Sequence, residues 1–368
     1  MRVTIPQPQL LKGLLTIERV ISERSTLPIL ANVLVETSQS QLTLTATDLD
    51  VGVQCRFPLT DVVEPGAITL PARRLTGIVR ELPSDALRLE AKKNHTGLIE
   101  CGASRFRIPG LPPEDFPTLP VVSSEQPTAL PQAQLKAALE LTAHAMSAEE
   151  ARFILNGMLL SIGQESLTLV ATDGRRLAVA TLPLETRTTT SAQFVIPAKT
   201  VRELARLLQT EEGDRVLISP LKDQQLAFQF NSVTVLSRLL EGQFPSYEKV
   251  IPSTSTQGFS CDRGALISAL RRVNLMTTAT SQAVTFNLGP GRLIISKESA
   301  ELGSAHEELQ AAYTGEPMTI AFNPEYWLDL LKVVGSDEIS VEVAGPDRPA
   351  VVRWEGFLYL VLPMKVSP

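Results

Sequence analysis

Apolar and polar positions alternate most clearly from Leu167 to Val179. There Leu-Thr-Leu-Val-Ala-Thr-Asp-Gly-Arg-Arg-Leu-Ala-Val reads as a strand, a turn at Asp173-Gly174 and a second strand, the pattern of a β-hairpin. The same phrase stands earlier as Leu42-Thr-Leu-Thr-Ala-Thr-Asp48, with six of seven residue types shared at an offset of 125 residues. Repetition at a fixed offset sets the architecture, so it precedes the reading of any local motif.

Helical spacing fills in the unit around each hairpin. In the first, Leu10, Leu14, Ile17 and Ile21 predict an amphipathic helix over 9–21, and Leu70 to Leu82 predicts a second, with Pro71 where a helix start tolerates proline. Strands are expected at Ile29 to Val35, Leu42 to Asp48, Val51 to Phe57, Leu87 to Ala91, Gly97 to Cys101 and Ser104 to Ile108; Pro109 to Pro120 reads as a linker. The second unit keeps this order, with helices at Leu135 to Met146 and Ile196 to Leu208, strands from Phe153 and Leu167, and closing strands at Arg215 to Ser219, Gln225 to Phe230 and Val233 to Leu239. The third is more diverged. Leu266, Leu270 and Val273 mark its first helix, Leu293 to Ser296 a strand, and Lys297-Glu298 replaces the Thr-Asp of the hairpin. Ile320 to Val334 carries its second helix, with Asn323 as N-cap and Pro324 in the first turn, and the chain ends in the apolar run Phe357 to Val366.

Two helices and about eight strands per unit predict three similar α+β domains side by side, over 1–121, 128–248 and 249–368. Such an array leaves sheet edges at its two ends, and a closed symmetric oligomer is the commonest way to pair them.

Composition narrows the function classes. Hydrophobic residues at 43% and charged residues at 20% describe an ordinary soluble chain. No apolar run reaches the ~18 residues of a membrane span, and the N-terminus lacks the apolar core of a secretory signal, so the expectation is a cytoplasmic protein without a membrane partner. Cys55, Cys101 and Cys261 are scattered and odd in number, as are His95, His144 and His306; they read as reduced or buried residues, and no metal or cofactor is expected. No GxxxxGK[ST] or GxGxxG phosphate cradle, helix-turn-helix or zinc-finger pattern is present. Asp48, Asp50 and Asp173 offer paired carboxylates for hydrolysis or metal binding. Asp48 and Asp173, however, hold equivalent places in two repeats, as expected of hairpin carboxylates that cap backbone N–H groups, so catalysis is not expected.

The net charge of −6 speaks against a polyanion partner, but its distribution reopens the question. Over 9–21, 72–82, 132–146, 198–209, 262–276 and 323–334 the helices carry thirteen basic and seven acidic residues, a net +6 that leaves −12 on the remainder. If gathered on one surface, these helices would meet a phosphate backbone without reading its sequence; the charge count fits ordinary solvated helix faces equally well.

Several motifs together resemble the bacterial β sliding clamps, the β subunits of DNA polymerase III. They are Arg24 with Thr26-Leu-Pro-Ile-Leu30, the two Ala-Thr-Asp hairpins, Ser104-Arg-Phe-Arg with Phe116-Pro, Leu155-Asn-Gly-Met158, Ala171-Thr-Asp-Gly-Arg-Arg-Leu-Ala178, Phe244-Pro-Ser-Tyr247, Phe322-Asn323 with Tyr326, and Tyr359-Leu-Val-Leu-Pro-Met-Lys365. The resemblance covers the whole chain. It implies the DNA clamp fold, three repeated domains with two helices packed on antiparallel sheets in each, assembling head to tail as a dimeric ring around double-stranded DNA. It also implies a peptide pocket between the second and third domains that receives the replicative polymerase α subunit, the clamp loader δ subunit, repair and translesion polymerases and mismatch repair proteins. Carried over by resemblance, that pocket comprises Leu155, Thr172, Gly174, Arg175, Arg176, Leu177, Pro245, Lys249, Val250, Asn323, Tyr326, Leu360, Val361, Leu362, Pro363 and Met364. The implied DNA contacts are Arg24, Arg73, Lys199 and Arg202, then Lys12 and Arg80; the implied dimer interface sets Arg105, Phe106 and Arg107 against Arg272, Leu275 and Met276. Arg175 stands where relatives often carry His, and Thr277 to Gln282, around Ser281, lacks the aromatic some relatives place at the pocket rim, which bears on partner preference.

Overall fold

The computed structural model describes residues 1–21, 26–38, 40–59, 62–122, 127–188, 191–211, 213–252, 257–313 and 315–365. They form two compact units, residues 1–136 with 202–239 and residues 137–201 with 240–368. Six α-helices occur among them: α1 Gln7–Ile17, α2 Ala72–Glu81, α3 Gln132–Ala143, α4 Ala198–Leu207, α5 Arg263–Asn274 and α6 Pro324–Val333.

Each expected helix is present, with ends moved for local reasons. Pro6, Pro71, Pro131 and Pro197 each close a strand, and the helix starts on the next residue, so Pro71 is strand end and not helix interior. The preset φ of proline suits that corner. In the third repeat Asp262 and Asn323 turn the corner instead, their side chains accepting from Ala265 N at 2.6 Å and Glu325 N at 3.0 Å. The start of each repeat is tied in one way: the backbone N–H groups of Gln7, Gln132 and Arg263 donate to the carbonyls of Asp85, Asp214 and Asp337 at 2.9, 2.9 and 2.8 Å. The Gln7 and Arg263 side chains reach on to the carbonyls of Val79 and Leu331, at 2.6 and 2.8 Å, satisfying acceptors that the last turns of α2 and α6 leave open.

Three expected strands differ. Pro28, which lacks a ladder N–H, opens a 3-10 turn over Pro28–Ala31, and the strand begins at Asn32. Glu150–Asn156 is likewise a 3-10 segment, kinked at Arg152, and its strand is Gly157–Ile162; Ile154 and Leu155 give the apolar signal by packing inward, not by pairing. Lys297 and Glu298 lie inside strand Arg292–Ser299, paired with Ala305 and Ser304, so the third hairpin turns at residues 300–302. The proline-rich 109–120 stretch is anchored: Phe116 is buried against Ile29 and Leu30.

The two Thr-Asp hairpins share one bonding scheme. Asp48 Oδ1 accepts from the N–H groups of Asp50 and Val51 at 3.1 and 2.8 Å; Asp173 Oδ1 accepts from those of Arg175 and Arg176 at 2.8 and 3.0 Å. Thr47 and Thr172 each donate to the carbonyl four residues on. Both carboxylates are thus turn caps. The left-handed position between them is Leu49 at φ 81° in one and Gly174 at φ 85° in the other, so the first hairpin carries a side chain where glycine is the unstrained choice. Asp48→Ala is expected to destabilise the first unit by roughly 1–2 kcal/mol for two orphaned N–H groups and so lower its thermal midpoint; an unchanged midpoint in calorimetry would refute the cap.

The first unit holds two antiparallel sheets. One runs Val62–Glu64, Arg2–Pro6, Ala86–Ala91, Thr96–Cys101, Ser104–Pro109 in space; the other runs Thr128–Pro131, Arg215–Leu221, Gln225–Phe230, Val233–Arg238, Val51–Pro58, Gln41–Thr47, Asn32–Thr37, Gly66–Pro71. α1 packs on α2 and on the strands 41–47 and 51–58, burying Leu10, Leu14 and Ile17. Gly13 sits so close that a Cβ there would lie 2.6 Å from Leu44 and Phe57 side-chain atoms. The second unit has a nine-stranded sheet, Ala192–Pro197, Gly157–Ile162, Ser166–Thr172, Arg176–Pro183, Phe357–Val361, Ala350–Trp354, Glu338–Val343, Gly258–Asp262, Ala312–Tyr313, and a four-stranded one, Gly303–Gln310, Arg292–Ser299, Val284–Gly289, Met318–Phe322. α5 packs on α6 and on the strands 292–299 and 303–310.

Repeats therefore join by continuous sheet. In the first unit Val51 to Cys55 pair antiparallel with Ser237 to Val233; in the second Arg176 to Ala180 pair with Val361 to Phe357. Each joint uses the strand after the hairpin of one repeat and the last strand of the next.

Candidate functional site

The second unit brings many of the expected pocket residues into one neighbourhood. Leu155, Leu177 and Leu360 share a buried cluster with Val170, Val351 and Phe244, and Tyr247 and Ile251 pack against its edge. The segment carrying those last three also carries Pro245, Lys249 and Val250, all exposed, Val250 at 54%. Strand 357–361 lies beside strand 176–183, and its continuation stays tied: Leu362 N donates to Arg175 O at 2.9 Å, Met364 N to Ala321 O at 2.7 Å. Leu362 is exposed and Pro363 and Met364 half-buried, so this tail and the 245–250 segment present an accessible apolar margin above a buried floor. Val361 is completely buried.

The hairpin turn forms another wall. Thr172, Gly174 and Arg175 follow the bonding described above, and Arg152 Nη1 donates to Asp173 O from beside Gly174. A Cβ on Gly174 would stand 2.6 Å from that Arg152 nitrogen. Arg175 is exposed, and with Lys249 and Arg152 it gives the margin a cationic character. Asn323 is buried and spoken for: its carbonyl caps α6 and its Nδ2 donates to Gln282 Oε1 at 3.1 Å, linking the rim stretch 277–282 to the helix start.

Arg176 differs from the cations Arg152, Arg175 and Lys249 in being buried. Its Nε donates to Asp173 Oδ2 at 3.0 Å, its Nη1 to Asp329 Oδ2 at 2.9 Å, and its guanidinium lies 4.6 Å over the Tyr326 ring. Tyr359 Oη donates to Tyr326 O at 2.8 Å, and the His144 ring stands 5.4 Å from that of Tyr359. Burial pushes the Tyr359 hydroxyl pKa up and holds His144 down at about 4, Arg176 adding to the latter. Burial alone would raise Asp329, but hydrogen bonds from Arg176 and Lys332 outweigh it and hold the carboxyl below its ordinary value. Arg152, Phe244, Tyr247, Asp329, His144 and Tyr359 were not singled out as site residues by pattern; only the Phe244-Pro-Ser-Tyr and Tyr359-Leu-Val-Leu phrases hinted at three of them. A cavity of about 690 Å³ lies elsewhere, between α3 and the C-terminal end of α6, and touches none of the expected pocket residues.

Of the expected DNA contacts, Lys12, Arg73, Arg80 and Arg202 are exposed on α1, α2 and α4, Lys199 is half-buried on α4, and Arg24 lies outside the described residues. Several of the helix cations are engaged by the protein itself. Arg206 pairs with buried Glu203 and donates to Thr16 O at 2.6 Å, Lys136 donates to Leu208 O at 3.1 Å, Arg263 to Leu331 O, Arg272 to Glu307 and Lys332 to Asp329. Among the described residues no three His, Cys, Asp or Glu gather as metal ligands. Cys55 and Cys261 are buried thiols pushed up to about 12 by desolvation, which leaves them unreactive.

The expected interface residues sit on one sheet edge and on the end of a helix beside another. Arg105, Phe106 and Arg107 are exposed on strand 104–109, the last of its sheet; Arg272 forms a bidentate pair with Glu307, on edge strand 303–310, at 2.7 and 2.6 Å. Leu275, 72% exposed, and half-buried Met276 follow α5 beside that edge.

Comparison with known proteins gives matches along the chain. Residues 1–120, 129–246 and 248–365 match the N-terminal, central and C-terminal domains of the DNA polymerase III beta subunit. The beta sliding clamp of Pseudomonas aeruginosa is 35% identical over 372 residues, covering 100% of both chains. A crystal structure of the DNA polymerase sliding clamp from that organism superposes with a TM-score of 0.94 at 34% identity, and one from Bacillus subtilis with 0.94 at 29%, each over 100% of both chains.

Proposed function

This chain belongs to the DNA polymerase III β subunit family, the β sliding clamps, and is a polymerase processivity factor; we propose that it works by closing, as a head-to-tail dimer, into a ring around duplex DNA. The observation that carries the reading is the rule of the sheet joints. At both joints within the chain, the strand after a repeat's hairpin pairs with the last strand of the following repeat, at 51–58 with 233–238 and at 176–183 with 357–361. In the third repeat the corresponding strand is 303–310, and the first repeat's last strand is 104–109; both are sheet edges. A second copy completes the rule. Strand 303–310 of one protomer continues the sheet of strand 104–109 in its partner, and two such joints close the assembly with no heterologous edge left over.

Counting from the strand starts as the internal joints do sets Gly303 opposite Ile108, Ser304 opposite Arg107, Ala305 opposite Phe106 and His306 opposite Arg105. Arg105 and Arg107 then face an edge that bears Glu307 and Glu308. The domains follow the repeats, at 1–121, 128–248 and 249–368. Lys12, Arg73, Arg80, Lys199 and Arg202, with Arg24, supply weak phosphate contacts that let the ring slide, so retention is topological. The role is non-enzymatic and cytoplasmic. The margin formed by Leu155, Leu177, Val250, Leu362 and Met364, with cationic Arg175 and Lys249, suits short peptides bearing large apolar side chains and a carboxylate. Its partners are the replicative polymerase α subunit, the clamp loader δ subunit, repair and translesion polymerases and mismatch repair proteins.

The test uses protein loaded onto nicked circular DNA. The complex is expected to survive high salt on the circle and to be lost when the circle is linearised. Equal retention on both forms would make the binding adhesive and end the ring reading.

A further inference from the structure

Of the residues around the groove, Arg176 is the one whose charge is entirely turned inward. Its guanidinium spans two carboxylates, Asp173 at the tip of the hairpin and Asp329 one turn along α6 from Tyr326, at 3.0 and 2.9 Å. Only about a tenth of the Arg176 side chain is exposed. The planar face of the same group covers the Tyr326 ring, and the Tyr326 carbonyl is held from another side by the Tyr359 hydroxyl. Tyr326 therefore has its ring fixed by one buried group and its backbone by another. The chain separation of 153 residues between Arg176 and Asp329 makes this a tie between two elements that both carry expected pocket residues: the hairpin with Gly174, Arg175 and Leu177, and α6 with its cap Asn323 and Tyr326.

We propose that Arg176, Asp329 and Tyr359 form a brace that positions Tyr326 and sets the width of the peptide groove, with Arg176 and Asp329 acting on the partner peptide through Tyr326 and not by touching it. This rests on the groove reading given above. A planar fork that meets two carboxylates and stacks on a ring needs arginine; lysine supplies one point charge and no plane. The brace keeps the wall in its bound geometry before a partner arrives, which removes an ordering cost from binding.

The test measures affinity for a fluorescein-labelled six-residue peptide with two large apolar side chains and one carboxylate, on the full-length protein. Asp329→Ala is expected to weaken the peptide roughly tenfold, with Asp329→Glu recovering part of the loss, while the oligomeric state stays that of the unchanged protein. The accompanying readout is 19F NMR of fluorotyrosine-labelled protein, which has four tyrosines. The Tyr326 resonance, identified by Tyr326→Phe, is expected to broaden or shift in Asp329→Ala and return toward its place in Asp329→Glu. Unchanged affinity or an unmoved Tyr326 resonance in Asp329→Ala overturns the brace. Val250→Asp is the control on the groove itself. If it abolishes peptide binding while Asp329→Ala does not weaken it, the groove stands and the brace falls; if Val250→Asp binds as well as the unchanged protein, the groove reading fails and takes the brace with it.

Discussion

Phe106→Ala yields a folded protomer that no longer pairs with its own copy at concentrations where the unchanged protein is a dimer. Phe106 is 38% exposed on the edge strand 104–109, and the joint proposed between protomers would set it opposite Ala305, a small residue, with space for the ring to lie toward α5. On that helix Leu275 is 72% exposed, so each partner offers one large apolar group without cover. Burying an aromatic anchor at the centre of an interface contributes about 2–4 kcal/mol, which weakens the dimer by roughly 30- to 1000-fold when the ring is removed. The proposed ladder and the Arg105, Arg107, Glu307 and Glu308 charges would remain, so the loss is expected in dissociation rate and only partly recovered by lowering salt. Sedimentation velocity across a dilution series reads it directly. A Phe106→Ala protein with an unchanged dissociation constant would mean that 104–109 is not the joining edge. Arg107→Glu adds a check on register, because it places like charge against the glutamates of 303–310 and is expected to be relieved at high salt.

The parts of this architecture that could be read beforehand are those whose causes lie within a few residues. The Thr-Asp hairpins announce themselves because Asp48 and Asp173 bond to N–H groups two and three positions away, a scheme complete inside the phrase. α2 and α4 are legible because each presents a regular apolar face, as with Leu75, Thr76 and Val79 of α2. Where the apolar signal came from packing, it misled. Ile154 and Leu155 look like strand residues but enter the core from a 3-10 segment that joins no sheet ladder, and Ile29 and Leu30 do the same to receive Phe116 from a stretch that reads as a linker.

The site was legible as residue types and not as roles. Charge counting treats Arg206 as one more cation of a basic helix face, yet it is held by Glu203 and by a carbonyl 190 residues away. Arg176 sits in the most recognisable motif of the chain, but its partner Asp329 lies in an unrelated helix, and no local pattern signals that pairing. Likewise the joints between repeats are set by which strand edges remain open after each repeat folds. That property appears only when strand order is known.

His144→Phe is expected to remove the loss of stability that the second unit suffers between pH 8 and pH 5 from protonation of this one ring. His144 is enclosed by Tyr359, with Arg176 and Lys332 disfavouring its protonation and Asp329 favouring it, and neither ring nitrogen has a hydrogen-bond partner among the described residues. Burial is the largest cause, and it holds the folded pKa down to about 4 from the ordinary 6.5. The unfolded chain therefore takes up a proton that the folded one refuses. Stability from keeping the ring neutral is fully present above the unfolded value and drains away as pH falls toward the folded one, by about 2 kcal/mol at pH 5 and about 3 kcal/mol below pH 4. Phenylalanine fills nearly the same space, stacks on Tyr359 and binds no proton, so the variant and the unchanged protein should unfold alike at pH 8 and diverge on acidification, the variant being the more stable at pH 5. Asp329, held below its ordinary value, adds a loss of the same sign at lower pH, but it is common to both proteins and cancels in the comparison. Thermal unfolding followed at a series of pH values decides the matter: curves for the two proteins that fall in parallel from pH 8 to pH 5 would show that His144 titrates normally, and that the buried cluster around Arg176 admits a proton freely.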